Sequence, residues 1–176
     1  MTYADSQDEV DWTITMADAG LDTMTGARVK RAAKYVEGDT FMLTYGDELA
    51  DIDIQKLLRF HREMGRLVTV TGIRPPSRFG EMHAQDNVVT GFAEKPQVSE
   101  GLVNGAFFVC ERGFLDYLDE EESCVLERDP LRRVAADGEL AVYTHTGFWQ
   151  CMDTFREYEL LTGLWEYGQA PWKVWR

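Results

Sequence analysis

Apolar and polar positions along the chain fall into short blocks whose period changes from two to nearly four and back. Trp12-Thr13-Ile14-Thr15-Met16 alternates, which predicts a strand. A loop containing Gly20, Asp22 and Gly26 follows, and residues 27–35 turn helical. Asp39 starts a turn into a strand over 41–44. Between Asp53 and Met64 the apolar residues Ile54, Leu57, Leu58 and Met64 make one helical face, which leaves His61 on the helix surface. Asp51 or Asp53 can cap that helix and Gly65 can end it. Residues 67–71 are rich in β-branched side chains and predict the next strand. Strand, helix and strand with short links are the grammar of a βαβ unit, and so of an α/β fold.

Pro75-Pro76 interrupts regular structure. Residues 79–82 and 88–92 read as two strands around an Asp86-Asn87 turn. The most hydrophobic strand runs over 103–110 and is opened by Asn104-Gly105. A short helix over 114–118, a helix over 131–136 closed by Gly138, a strand over 140–143 and a last helix over 154–165 complete the pattern. The aromatic tail from Ala170 is a segment that could dock onto a neighbour. No repeat, low-complexity tract or linker divides the chain, so residues 1–176 read as a single domain.

Composition narrows what such a fold can do. At 44% hydrophobic and 12% aromatic residues, the chain can bury a core and is not disordered by composition. Eighteen basic against 31 acidic residues give a formal charge of -13, which sets aside a nonspecific nucleic-acid binder. Nucleotides stay open as ligands, because their site needs a few local cations and a divalent metal rather than a basic surface. The start MTYADSQDEVDW has neither a basic stretch nor an apolar core, and no run approaches the ~20 apolar residues that span a bilayer, so no membrane partner is expected. Cys110, Cys124 and Cys151 form no CxxC spacing, which argues against structural zinc and a disulfide scaffold and for a reducing, cytoplasmic setting.

Candidate chemistry gathers at the strand ends. Asp47 ends the apolar run Phe41-Met42-Leu43-Thr44-Tyr45, and Gly46 before it permits close approach by a ligand. A carboxylate there can hold a metal over a phosphate, or it can cap a turn before Ile52. Asp153 is a second such carboxylate; it or Thr154 can instead cap the last helix. Glu94-Lys95-Pro96 is either a solvent-facing charged turn or a step that aims Lys95 at a phosphate. Asn104 offers two donors and an acceptor, which suits sugar hydroxyls as well as a turn. His145 could face a cleft. No HExxH or GxSxG spacing occurs, so zinc peptidase and serine hydrolase chemistry are poorly supported.

Taken in order, DTMTGARVKR, TYGDEL, RPPSRFG, FAEKP, LVNGAFFV and GFWQCMDTFREYELLTGLWEYGQAPWK resemble the sugar-phosphate nucleotidyltransferases, in their cytidylyl branch, from about Trp12 to Lys173. The resemblance implies a Rossmann-like nucleotide-diphospho-sugar transferase fold with a mixed central sheet. It implies an enzyme that joins CTP and α-D-glucose 1-phosphate to give CDP-glucose and pyrophosphate, with Mg²⁺ as cofactor. Asp47 and Asp153 match the family's catalytic metal ligands, and Lys95 matches the lysine of the sugar-phosphate site. Glu94 falls near the sugar, Asn104 and Gly105 match the pair that contacts the hexose, and Thr25, Gly26 and Arg28 fall in a TGGR-like segment near the nucleotide. The implied partners are a nucleoside triphosphate, a sugar 1-phosphate and further copies of the chain, as a homo-oligomer.

The sequence departs from the family pattern in two places. The family's first strand and glycine-rich GGxGTR-type loop do not occur in it, so a partial, N-terminally truncated domain is expected, with the base read largely elsewhere. Glu48 stands where close relatives carry Gly. Two alternatives remain beside the cytidylyl reading: a noncatalytic assembly or regulatory module, and an enzyme using UTP or dTTP.

Overall fold

The computed structural model describes residues 13–74, 81–93 and 101–175. Among these, eight strands form: β1 (Thr40–Thr44), β2 (Glu48–Ala50), β3 (Val68–Ile73), β4 (Glu81–Gln85), β5 (Val88–Ala93), β6 (Val103–Glu111), β7 (Leu140–Thr144) and β8 (Trp149–Cys151). Four helices accompany them: α1 (Thr25–Ala32), α2 (Ile54–Met64), α3 (Asp129–Ala136) and α4 (Phe155–Glu166). Short 3-10 turns extend α1 over Ala33–Tyr35 and cover Arg112–Tyr117.

The four longer blocks make one mixed sheet in the order β1-β6-β3-β7. β6 runs antiparallel to both β1 and β3, and β3 runs parallel to β7. The β-branched run of β3 is buried along nearly its whole length, as an inner strand covered on both faces should be. β1, α2 and β3 do form a strand–helix–strand unit, but β6 lies between the two strands. Alternation along β6 splits the core. Phe108 and Cys110 join Val68, Phe114, Leu118, Leu126 and Val134, while Val109 packs with Ile52 and Leu57 of the α2 side.

The α2 boundaries follow the sequence signals. Asp53 accepts the Lys56 N–H, and Gly65 ends the helix in the left-handed region at φ 58°. The buried face differs from the expected one. Ile54 and Met64 are exposed, and His61, expected on the surface, is 1% exposed. Its Nδ1 lies 2.8 Å from Thr69 Oγ1 and its Nε2 lies 3.0 Å from Glu111 Oε1. A ring satisfied at both nitrogens can replace an apolar side chain in a core.

The strand expected over 12–16 is corrected. Thr13–Met16 is irregular, with Ile14 and Met16 exposed, and Trp12 lies outside the described residues. Alternation needs a neighbouring ladder to become a strand, and none of the described strands pairs with this segment. The Asp86-Asn87 turn is as expected: both residues have positive φ, 50° and 63°, which suits a two-residue hairpin between β4 and β5. Pro75, Pro76, Phe79 and Gly80 lie outside the described residues.

Candidate active site

β2 and β8 form a separate antiparallel ribbon of three pairs, Glu48 opposite Cys151, Leu49 opposite Gln150 and Ala50 opposite Trp149. Met152 donates its N–H to the Asp47 carbonyl at 2.8 Å, which carries the pairing one step further. Asp47 and Asp153 therefore stand at the same end of the ribbon, both exposed. Asp153 is not the cap of α4. Thr154 is, with its hydroxyl accepting the Glu157 N–H, while Glu157 Oε2 accepts the N–H groups of Asp153 and Thr154 at 2.9 Å. This capping box holds the backbone on both sides of Asp153.

Glu48 brings a third carboxylate to that end. Burial pushes its pKa up to about 7, with the hydrogen-bonding carboxylate of Asp47 and the charges of Asp47 and Asp153 adding to the rise. Its Oε2 is buried and has no hydrogen-bond partner among the described residues. Two facing carboxylates are both acceptors when ionised, so either a proton or a cation must stand between them.

A second, mixed set shares Asp153 with this one. Ligand atoms of Cys151, Asp153 and Glu157 all fall within 4.8 Å of one another. That set suits a hard cation poorly, because burial and nearby carboxylates raise the Cys151 thiol to about 11 and Glu157 is engaged in the cap. Asp47, Glu48 and Asp153 offer only oxygen donors, which match a hard cation in kind, although among the described residues their ligand atoms are not gathered within 4.8 Å as those of Cys151, Asp153 and Glu157 are. A magnesium ion takes one or two protein carboxylates and completes its shell from water and substrate phosphates, so a closed cage is not required.

Asn104 and Gly105 sit at a bulge in β6, where the pairing with β3 shifts between Val70 and Gly72. Ala106 adopts a left-handed φ of 64°, and its N–H donates to Asn104 Oδ1 at 2.8 Å. A Cβ on Gly105 would lie 2.9 Å from Ile73 Cγ2 and 3.1 Å from the Thr71 carbonyl, so glycine is required by the close approach of β3. The Gly105 carbonyl accepts the Trp149 indole N–H at 3.0 Å, which ties the bulge to the ribbon.

Two residues that the sequence did not single out meet here. Tyr45, two positions before Asp47, lies 3.4 Å from Asn104 Nδ2 through its hydroxyl, and that hydroxyl donates to Glu127 Oε1. Burial first, and then the hydrogen bond and charge of Glu127, raise the Tyr45 pKa above its ordinary value. Glu127 Oε2 accepts the Thr25 hydroxyl at 2.9 Å, and Thr25 Oγ1 accepts the Leu126 N–H at 3.0 Å. Tyr45 is the second residue of the TYGDEL string, but Glu127 carries no local sequence signal.

Thr25 is thus linked to Asn104 through Glu127 and Tyr45, whereas Gly26 and Arg28 face elsewhere. Gly26 N–H donates to the Cys124 carbonyl at 2.9 Å, and a Cβ there would lie 2.7 Å from Cys124 Sγ. Arg28 directs its guanidinium to the carbonyls of Thr23 and Leu21. Glu94 and Lys95 lie outside the described residues. His145 does line a cleft, a cavity of about 230 Å³ beside Ile73, Arg74 and Trp149. Its Nε2 lies 3.0 Å from Asp51 Oδ1 and 3.1 Å from the Phe148 carbonyl. Trp172 of the aromatic tail packs on Phe148 of the same chain, ring centroids 5.5 Å apart.

Known proteins are similar to this chain in fold, and others in sequence. The HddC protein of Yersinia pseudotuberculosis superposes with a TM-score of 0.57 at 18% identity, over 78% of this chain and 60% of that one. The glucose-1-phosphate cytidylyltransferases of Salmonella typhi and Salmonella typhimurium are each 44% identical to it over 165 residues, 93% of this chain. The chain spans 64% of the length of these two curated relatives. The family described as Nucleotidyl transferase matches residues 2–160, which include every described strand and both aspartates, and the chain belongs to that family.

Proposed function

We propose that this chain carries the metal-carboxylate and sugar-binding part of an enzyme that joins CTP and α-D-glucose 1-phosphate to give CDP-glucose and pyrophosphate. The observation that carries the reading is the β2–β8 ribbon, which sets Asp47 beside Asp153 and is tied by Trp149 to the bulge bearing Asn104 and Gly105. The identity to glucose-1-phosphate cytidylyltransferases supports the choice of nucleotide and sugar.

Family membership supports a metal cofactor in general, and the donor set favours Mg²⁺. Asp47 and Asp153 would hold it, with the buried Glu48 Oε2, which has no partner among the described residues, beside them. When bound, the ion supplies positive charge to the triphosphate oxygens. The attacking sugar phosphate is already ionised, so no side chain need remove a proton from it. A new bond forms between its oxygen and the α-phosphorus of CTP, and the bond to the β-phosphate breaks to release pyrophosphate. Bringing two anions together is a problem of position and charge. Lys95 would neutralise the incoming phosphate, Glu94, Asn104 and Gly105 would hold the hexose, and Thr25, Gly26 and Arg28 would border the nucleotide.

The partners are then small molecules. Among the described residues no helix is long and apolar enough to cross a membrane. Self-association and a cytoplasmic setting belong to the same proposal. Sedimentation at micromolar concentration tests the first, and a monomer would refute it.

The test supplies the purified chain with CTP, glucose 1-phosphate and Mg²⁺ and follows CDP-glucose and pyrophosphate by chromatography, with UTP and dTTP as rivals. Product from CTP is expected. A folded chain that neither forms product nor binds CTP or glucose 1-phosphate in calorimetry would overturn the proposal in favour of a noncatalytic module, a reading consistent with the extra negative charge of Glu48 beside the phosphate site.

A further inference from the structure

A one-way chain of hydrogen bonds runs from α1 to the bulge of β6. An ionised carboxylate is acceptor-only, so Glu127 forces both of its neighbours, the hydroxyls of Thr25 and Tyr45, to donate. Thr25 Oγ1 uses a lone pair for the Leu126 N–H. Tyr45, its proton directed to Glu127, can offer Asn104 only a lone pair, and so it faces the amide nitrogen at 3.4 Å. The other side of Asn104 is consistent with that orientation and anchors one end of the amide, because Ala106 N–H requires an acceptor and meets Oδ1 at 2.8 Å. Of the four hydrogen-bonding valences on an Asn side chain, two are thus taken, and the two left for a ligand are one N–H of Nδ2 and one lone pair of Oδ1, each held on a fixed side of the amide.

We infer that Tyr45 and Glu127 are positioning residues that fix the Asn104 amide so that its free N–H and its free oxygen lone pair each face a set side, and thereby favour a sugar with a hydroxyl oxygen opposite that N–H. The inference rests on the reading of Asn104 as a sugar contact. Neither Tyr45 nor Glu127 touches the reacting phosphates in it. They act through the amide: the 2.8 Å bond from Ala106 N–H anchors Oδ1, and the Tyr45 oxygen, 3.4 Å from Nδ2, adds the second point that limits rotation of the amide about that anchor. In Tyr45→Phe that acceptor is absent. In Glu127→Gln the second hydroxyl meets an amide NH₂ in place of an oxygen, and the direction of the chain is no longer imposed.

The experiment measures calorimetric Kd values, with Mg²⁺ present, for glucose 1-phosphate and for its 2-, 3-, 4- and 6-deoxy analogues. The wild-type chain is expected to bind one analogue about three- to tenfold more weakly than the parent, the range for one neutral hydrogen bond. In Tyr45→Phe and Glu127→Gln that ratio is expected to fall towards one. General destabilisation weakens parent and analogue together and leaves the ratio alone, so the ratio separates positioning from mere structural support. Tyr45→Phe keeps the ring packed near Phe108 and carries the test alone if Glu127→Gln does not fold. Variants that keep the wild-type ratio, or a wild-type chain indifferent to every deoxy analogue, overturn the inference. A wild-type chain that does not bind glucose 1-phosphate at all overturns the sugar reading beneath it.

Discussion

Trp149 donates its indole N–H to the carbonyl of Gly105, 3.0 Å away, across the gap between the ribbon and the central sheet. One residue thus couples the strand that leads to Asp153 with the bulge that shapes Asn104. Backbone pairing alone leaves the ribbon as a separate two-stranded unit, so its placement against the sheet depends on side chains of this kind.

Trp149→Phe should therefore loosen the ribbon without unfolding the sheet. The Gly105 carbonyl loses its partner, which costs about 1–2 kcal/mol in urea unfolding. Glucose 1-phosphate should bind several-fold more weakly in calorimetry, because the bulge loses its outer support. Unchanged stability and affinity would remove Trp149 from the site.

Glu48→Gln changes one charge where three carboxylates crowd together. In the absence of metal the variant should melt higher than the wild type, since repulsion with Asp47 and Asp153 is relieved. Added Mg²⁺ or Mn²⁺ should raise the melting temperature of the wild type by more than that of the variant, since one oxygen ligand and one charge are gone. Equal metal-induced shifts would show that Glu48 does not face the ion.

His61→Ala removes a ring that is 1% exposed and leaves Thr69 Oγ1 without its imidazole partner. Cavity and lost hydrogen bonds together should cost about 3 kcal/mol in chemical denaturation. A surface histidine would cost nearly nothing, so the measurement decides between the two positions directly.

Cys110 makes the fold sensitive to alkali. Burial, with the neighbouring Glu111 charge, raises its thiol from 9.0 to about 12. An unfolded thiol ionises above pH 9 while the folded one stays neutral, so the associated stability is complete below pH 9 and is lost as pH rises towards 12. Between those limits the slope is at most about 1.4 kcal/mol per pH unit. Tyr45 adds a loss of the same sign above its ordinary value. In Cys110→Ala the decline of the urea midpoint between pH 9 and 11 should be shallower than in the wild type, whatever the variant's stability at pH 7.

The longer elements were legible because periodicity and caps agree in them. Asp53, Gly65 and the β-branched run of β3 each carry a local signal strong enough to fix an element. The same signals are silent about β2 and β8, since three residues contain no measurable period. Asp47 and Asp153 could be named from sequence, but not the pairing that unites them. The burial of His61 is hidden from the pattern because its polarity masks its position: it lies four residues after Leu57, on the stripe that the helix buries. Glu127 was out of reach, because its partners Tyr45 and Thr25 are 82 and 102 positions away.

The ribbon has a consequence for the order in which the molecule forms. Three pairs between segments roughly a hundred positions apart offer little enthalpy against the entropy of closing so large a loop. An isolated pair of strands is marginal in water, so β2 and β8 can meet only after the sheet between them has drawn their ends together. The carboxylates come together late in folding and are among the first groups to part when the protein opens. Hydrogen exchange at Met152 N–H, the last rung beside Asp47, would mark that opening long before the sheet itself gave way.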